Sequence, residues 1–410
     1  RREAGERVTA AGEAQAVLEL STTEAERLRR TNVEIASIDG TVGWGVLDAA
    51  YRARKGKSPT RTERGFRTDE SYKDPRMLED LLRAYHERYP EISTLVELGR
   101  THQGRPIWGL KISDHPTEAE DEPAVLFNGM HHASELLSTE LALDVVQGLL
   151  EGYRRDASVT RWVDELEIWC VPMVNPDGNA AFIETSQWVL RKNGRDSDGD
   201  GMLDPFEGVD LSRNYPQGWG GEASGSTAFT SHYYRGPSAG SEPETRAIMA
   251  LADEHRFAAS ISFHTIGRVF YVPYTLPATE EPRPNVAWAI AEELAAAAPA
   301  QRGGKGYRVS ESGSVAGSDQ DWHMFTHGTV ALLLEGAYHN PELAIRTEAV
   351  TATRPVWQTL LERVTRGPRI SGHVRDEAGA PLSAEVTIDA IELRAGERWT
   401  SRPRDGRFDR

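Results

Sequence analysis

The sequence predicts an α/β protein: a mixed, mostly parallel sheet flanked by helices, with a small N-terminal segment and a partial all-β module at the C-terminal end. Three observations carry this. Short apolar runs alternate with segments of helical periodicity. Several runs, such as Val330–Leu334, are apolar at every position, as a strand buried on both faces requires. After Gly367-Pro368 the pattern changes to brief runs separated by turn residues.

Taken in order, residues 1–70 are polar and charge-rich. Ala16–Leu20 and Val33–Ile38 flank the capping pattern Ser21-Thr22-Thr23-Glu24, which predicts strand, helix, strand. The basic stretch Tyr51–Thr68 reads as a connector, and the segment as a prosegment-like region or an extra N-terminal domain. A second unit, 71–367, begins with a well-signalled helix. Asp74 is its cap, Pro75 its first position, and Leu78, Leu81, Leu82 and Tyr85 recur at helical spacing up to Pro90. Strands are predicted at Thr94–Leu98, Ile107–Ile112, Ala124–Phe127, Leu166–Val171, Ala258–Phe263 and Val330–Leu334, with helices including Glu135–Tyr153 and Glu242–His255. The third unit, 368–410, carries expected strands at Ile370–Val374 and Val386–Ile388.

Composition excludes several functions. The 410 residues hold 47 Lys+Arg against 63 Asp+Glu, a net charge of −16 with no basic patch, so nucleic acid and anionic membrane are poor partners. No apolar run reaches the length of about 18 residues needed to span a bilayer. Arg1-Arg2 at the start, with no apolar signal core after it, suggests a processed or cut chain. The single cysteine, Cys170, has no disulfide partner and is expected in a buried strand. Trp162, Trp169 and Trp188 are expected core aromatics, and His323 and His327 packing or surface residues.

His132-Ala-Ser-Glu135 follows an apolar strand and the turn Asn128-Gly129, at the end of a strand where open α/β sheets build sites. A His and a Glu three apart can turn nitrogen and carboxylate toward one ion, and His131 is expected to face the other way. His264 and Glu335 also end apolar strands, where a charge is costly unless it faces a cleft. Two His and one Glu leave a fourth position on zinc open for water, the arrangement of a catalytic site, with Glu335 as base. Arg191 and Arg213 lie between these positions in the chain.

Over residues 70–366 the sequence resembles the zinc carboxypeptidases A, B and T. The likeness rests on Gly129-Met-His-His-Ala-Ser-Glu135, Val174-Asn-Pro-Asp-Gly178, Arg191-Lys-Asn193, Gly208-Val-Asp-Leu-Ser-Arg-Asn-Tyr215, Ser262-Phe-His264, Asp321-Trp322 and Leu333-Leu-Glu335, in the family's order. The resemblance implies zinc held by His132, Glu135 and His264, and Glu335 as general base and acid. It implies Arg191 polarising the scissile carbonyl, Arg213 gripping the terminal carboxylate, and Asp210 behind the metal, orienting His132. Ser212 stands where the family commonly has Asn, Ser134 where it has Arg, and Gln320 in the pocket position. The family's mobile tyrosine falls on Gly313, with Tyr307 a displaced substitute. By likeness the chain is a secreted or periplasmic, monomeric hydrolase of peptide C-termini, and its third unit the start of a transthyretin-like domain. The same constellation would suit γ-linked or D-amino acid amides, and the departures also fit a catalytically silent peptide binder.

Asp196, Asp198, Asp200, Gly201, Met202 through its carbonyl, and Glu207 match the twelve-residue calcium loop, which adds Ca2+ to the expected metals. Asp204 and Pro205 lie inside it, and the loop falls between Arg191 and Arg213.

Overall fold

The structure is a computed structural model. It describes residues 72–185, 191–203, 206–221, 223–265, 267–276, 285–300, 306–310, 315–394 and 396–410, together with short strands at 6–8 and 14–16. Apart from Ala16, the strand, helix and strand expected in residues 1–70 lie outside the described residues, as do Trp188, Asp204, Pro205 and Gly313. The two short strands, β1 (Glu6–Val8) and β2 (Ala14–Ala16), pair antiparallel.

The main body follows the expected grammar. Helix α1 (Pro75–Arg88) starts where Asp74 accepts a bond from Met77 N at 2.8 Å, and it buries Leu78, Leu81, Leu82 and Tyr85. Then come β3 (Ser93–Arg100), β4 (Pro106–Ile112), β5 (Ala124–Gly129), α2 (Leu136–Gly152), α3 (Ala157–Glu165), β6 (Glu167–Val171) and α4 (Pro176–Thr185). The rest is α5 (Pro243–His255), β7 (Ala259–His264), β8 (Val269–Tyr271), α6 (Val286–Ala297), β9 (Arg308–Ser310), α7 (Asp319–His327), β10 (Val330–Glu335) and α8 (Leu343–Arg366). The eight strands order as β3-β4-β6-β5-β7-β10-β8-β9. The central four, β6-β5-β7-β10, are mutually parallel. Antiparallel joins to β4 and β8 flank them, so the sheet is mixed with a parallel centre.

Strand alternation divides the core into two layers. Val125, Phe127, Ile168 and Cys170 face one layer with Leu141, Val145 and Leu360, while Ala124, Leu126, Trp169 and Val171 face the other with Ile248, Leu251 and Phe257. Helices therefore cover both faces, and the apolar runs read as central strands are buried on both sides. Burial pushes the Cys170 thiol up, as an inert core position requires. Among the described residues no helix is long and apolar enough to cross a membrane.

The C-terminal residues form one antiparallel pair, β11 (Ser371–His373) and β12 (Arg407–Asp409). Val386–Ile388 is not a strand: Val386 N donates to Trp399 O at 2.7 Å, but the pairing stops at the isolated bridge of Glu385 with Thr400. Its alternation is right, yet among the described residues no neighbouring backbone continues the ladder. The segment packs on the body. Trp399 is buried against Gly328, where an added Cβ would meet the indole at 2.5 Å. Arg404 reaches buried Glu167 at 2.7 Å, and Arg402 donates to the carbonyls of Glu120 and Glu122.

Candidate metal centre and active site

The turn after β5 is built by close approach. A Cβ on Gly129 would lie 2.7 Å from Ser138 O, and Met130 takes a left-handed φ of 60° while its N–H bonds Ser138 Oγ at 2.9 Å. His132 enters the donor cluster, whereas His131 stands beside it with its ring stacked 5.5 Å from that of His264. Glu135 occupies the cap position of α2 but makes no capping bond. Its carboxylate turns instead to His132 Nδ1 at 2.6 Å and His264 Nδ1 at 2.8 Å, and accepts from Thr265 N at 3.1 Å. Asn340 helps cap the helix in its place, through Leu137 N at 3.1 Å.

The two Nδ1 atoms are 3.1 Å apart, and the donors of His132, Glu135 and His264 all lie within 4.8 Å. These three residues are buried. Two imidazoles and a carboxylate suit zinc, and the separations are near the edge of about 3.3 Å of a tetrahedron built on bonds of about 2.05 Å. Burial pushes Glu135 up, but the facing imidazoles outweigh it and hold the group below the ordinary carboxylate range.

Behind the donors stand fixed polar groups. Asp210 Oδ1 is 3.4 Å from His132 Nε2, an ion-pair distance beyond a well-formed hydrogen bond. The same carboxylate accepts from Ser212 N at 3.1 Å and Arg191 Nε at 2.6 Å, and lies 3.9 Å from Arg213. Burial raises Asp210, but Arg191, Arg213 and His132 together hold it well below its usual range. On the other side, Ser262 Oγ lies 3.2 Å from His264 Nε2 and 3.4 Å from His131 Nδ1. His131 Nε2 then meets Tyr215 OH at 2.9 Å. An imidazole offering Nδ1 to a metal carries its proton on Nε2, and Ser262 is placed to accept it. Burial lowers His131 to about 4, so it is neutral and can accept the serine hydroxyl.

Both arginines are fixed from the backbone. Ala133 N donates to Arg191 O at 3.2 Å, tying that segment to the metal turn. Gly208 has φ 89°, and a Cβ there would lie 2.1 Å from Asn193 O, so glycine alone lets the 208–215 segment run alongside. Burial lowers Arg213, whereas Asp210 and Glu135 keep Arg191 above its ordinary value against burial. Glu335 ends β10 in register with His264 of β7, at the same end of the sheet. Gly267 leaves room beside it, since an added Cβ would be 3.2 Å from Glu335 Cβ. Ser212 Oγ and Gln320 Oε1 are buried with no hydrogen-bond partner among the described residues. Tyr307 is committed elsewhere: its hydroxyl bonds Gly336 O at 2.9 Å and Thr353 Oγ1 at 2.8 Å, deep in the core. His323 and His327 are buried around Trp322, and His327 pairs with Asp253 at 3.2 Å.

In the acidic loop Asp196, Asp198 and Glu207 converge within 4.8 Å, whereas Asp200 bonds Met202 N at 2.7 Å and lies outside that trio. Met202 itself is 65% exposed. Glu207 is buried and accepts from Ser197 N and Asp198 N at 2.7 and 3.0 Å.

Several contributors were not singled out by sequence reasoning. Ser262, Tyr215 and Lys192 sat inside recognised motifs, where their neighbours drew the chemical reading. Asn340 and Tyr233 had no local signal. The ring of Tyr233 lies 5.5 Å from the Arg191 guanidinium carbon and 5.6 Å from that of Arg213.

Comparison with known proteins agrees with this geometry. The zinc carboxypeptidase profile matches residues 78–348. Metallocarboxypeptidase A of Trichophyton tonsurans is 34% identical over 222 residues, 53% of this chain and 50% of that protein, so the chain spans about half the length of the curated relatives it matches. Carboxypeptidase A from Helicoverpa armigera superposes with a TM-score of 0.67 at 20% identity, over 87% of this chain and 82% of that one. A thrombin activatable fibrinolysis inhibitor gives 0.68 at 18%, over 78% and 81%. These two likenesses concern the fold. With most of the catalytic body matched and the two-histidine, one-glutamate cluster assembled within it, the chain belongs to the zinc carboxypeptidase family.

Proposed function

We propose that the protein removes the C-terminal residue of peptides or proteins by hydrolysis, using His132, Glu135 and His264 as zinc ligands. One observation carries this: the ligand cluster and the two arginines share Asp210, so the metal centre and an anion-seeking surface form one unit. Two guanidiniums against one carboxylate leave a positive charge that a substrate's terminal carboxylate can neutralise.

Zinc, when bound, supplies a Lewis acid that lowers the pKa of a coordinated water to about 7. Glu335 accepts a proton from the attacking water and returns it to the departing amine as the C–N bond breaks. Arg191 donates to the carbonyl oxygen as negative charge grows there, and Asp210 keeps that guanidinium aimed. Arg213 grips the terminal carboxylate, and the buried oxygens of Ser212 and Gln320, unpartnered among the described residues, are candidates to meet the substrate. Hydrolysis of N-blocked dipeptides, with chelator and zinc add-back, tests the reading. Loss and recovery of terminal-residue release supports it; binding without release would favour a silent homologue.

The convergence of Asp196, Asp198 and Glu207 supports a calcium site at the acidic loop, tested by a thermal shift at millimolar calcium. The β11–β12 pair supports reading residues 368–410 as the start of a transthyretin-like sandwich and 71–367 as the catalytic unit. Secretion or periplasmic residence rests on the family likeness and is tested by fractionation of cells expressing the natural protein.

A further inference from the structure

We infer that Tyr233 is a substrate-positioning residue, whose ring holds Arg191 and Arg213 as a pair at the mouth of the terminal-carboxylate site. The inference rests on the carboxypeptidase reading and adds a residue to it.

The two guanidiniums are like charges held close to one carboxylate. Asp210 is 2.6 Å from Arg191 but 3.9 Å from Arg213, so the second cation is only loosely held by that anion. The Tyr233 ring lies within cation–π range of both, at 5.5 and 5.6 Å. Its negative face offsets part of the repulsion between them without neutralising either, so both remain available to anionic oxygens. A carboxylate in place of the ring would instead compete with the substrate for the arginines.

Tyr233 is not there as a core residue: it is 41% exposed and lies outside both apolar layers. Its loop is nonetheless fixed. Ser226 N donates to Tyr233 O at 2.7 Å, and Asp210 N donates to Tyr234 O at 2.8 Å. Buried Lys192, adjacent to Arg191, bonds the carbonyls of Phe229 and Ser231 at 2.7 and 3.0 Å. Gly225, with φ 78°, lets the loop lie on the Arg213 stem, because a Cβ there would be 2.3 Å from Tyr233 O and 3.2 Å from Arg213 Cγ. The ring is thus presented by the same residues that carry the arginines.

The test is steady-state hydrolysis of an N-blocked dipeptide by zinc-loaded protein. Tyr233→Ala should raise KM about five- to tenfold, from two exposed cation–π contacts, with kcat within about twofold. Tyr233→Phe keeps the ring face and should stay within about twofold of the wild type in both. Equal zinc content and melting temperature in the three proteins separate positioning from folding. An unchanged KM in Tyr233→Ala, or equal damage in Tyr233→Phe, overturns the inference. Arg213→Ala, run alongside, separates the two levels. If it raises KM and Tyr233→Ala does not, only the tyrosine role fails. If neither raises KM, the terminal-carboxylate reading fails with it.

Discussion

The His132–Glu135–His264 cluster and the Asp196–Glu207 loop are both groups of potential metal ligands, but they reach convergence by opposite routes. The first joins the turn after β5 to the end of β7, is buried, and is backed by fixed polar groups, Ser262 Oγ at 3.2 Å from His264 Nε2 and the Asp210 carboxylate at 3.4 Å from His132 Nε2. The second lies in one contiguous stretch, and its carboxylates are already bonded to their own turn, as Asp196 is to Gly199 N at 2.6 Å and Gly201 N at 2.9 Å. A cation entering the loop must displace or share those bonds and compete with solvent. Ligand identity alone therefore does not set the strength of a site; the supporting framework does.

The contrast can be broken in four ways, in descending order of effect. Glu335→Gln should lower kcat by about 10²- to 10⁴-fold while zinc content stays at the wild-type level. Full activity would remove Glu335 as base, and lost zinc would make it a structural member of the cluster. Ser262→Ala should weaken zinc binding about 10- to 100-fold in a chelator competition, with Ser262→Thr retaining affinity. Unchanged affinity in the alanine variant would mean that the outer hydrogen bond of His264 is dispensable.

The third concerns a buried carboxylate with no metal role. Burial pushes Glu167 up, but His255, the Glu120 N–H, Lys111 and Arg404 hold it below its ordinary 4.5. Its stabilisation is present above pH 4.5 and lost as pH falls through the lower folded value. Melting curves from pH 7 to 3 should show a steeper acid loss in the wild type than in Glu167→Gln. Parallel curves would place the acid sensitivity elsewhere. The smallest effect belongs to the loop. At calcium 10–100 times its dissociation constant, the wild type should gain about 2–4 °C, and Asp196→Asn should lose that gain without losing zinc.

Much of the catalytic body was legible because its signals are local. The central strands announce themselves as apolar runs, α1 by Asp74 and Pro75, and the ligands by polar residues at the ends of those runs. Short β9 carries no comparable run, being defined by its neighbour in the sheet, while the four-residue apolar run Val269-Phe-Tyr-Val272 that holds β8 went unassigned. Val386–Ile388 shows the reverse: alternation without a continuing partner does not make a strand. His131 lies outside the donor cluster yet stacks on His264, and its link through Ser262 joins residues far apart in the chain. Tyr233 was invisible for the same reason, since nothing in its own neighbourhood refers to Arg191.

Lys192 gives these separate observations a mechanical meaning. Its ammonium is enclosed and bonds the carbonyls of Phe206, Phe229 and Ser231 at 2.5, 2.7 and 3.0 Å, from two excursions of the chain. Burial lowers it to about 8. Its three N–H donors, one to each carbonyl, thus rivet the acidic turn, the aromatic lip and the strip bearing Arg191 to one another.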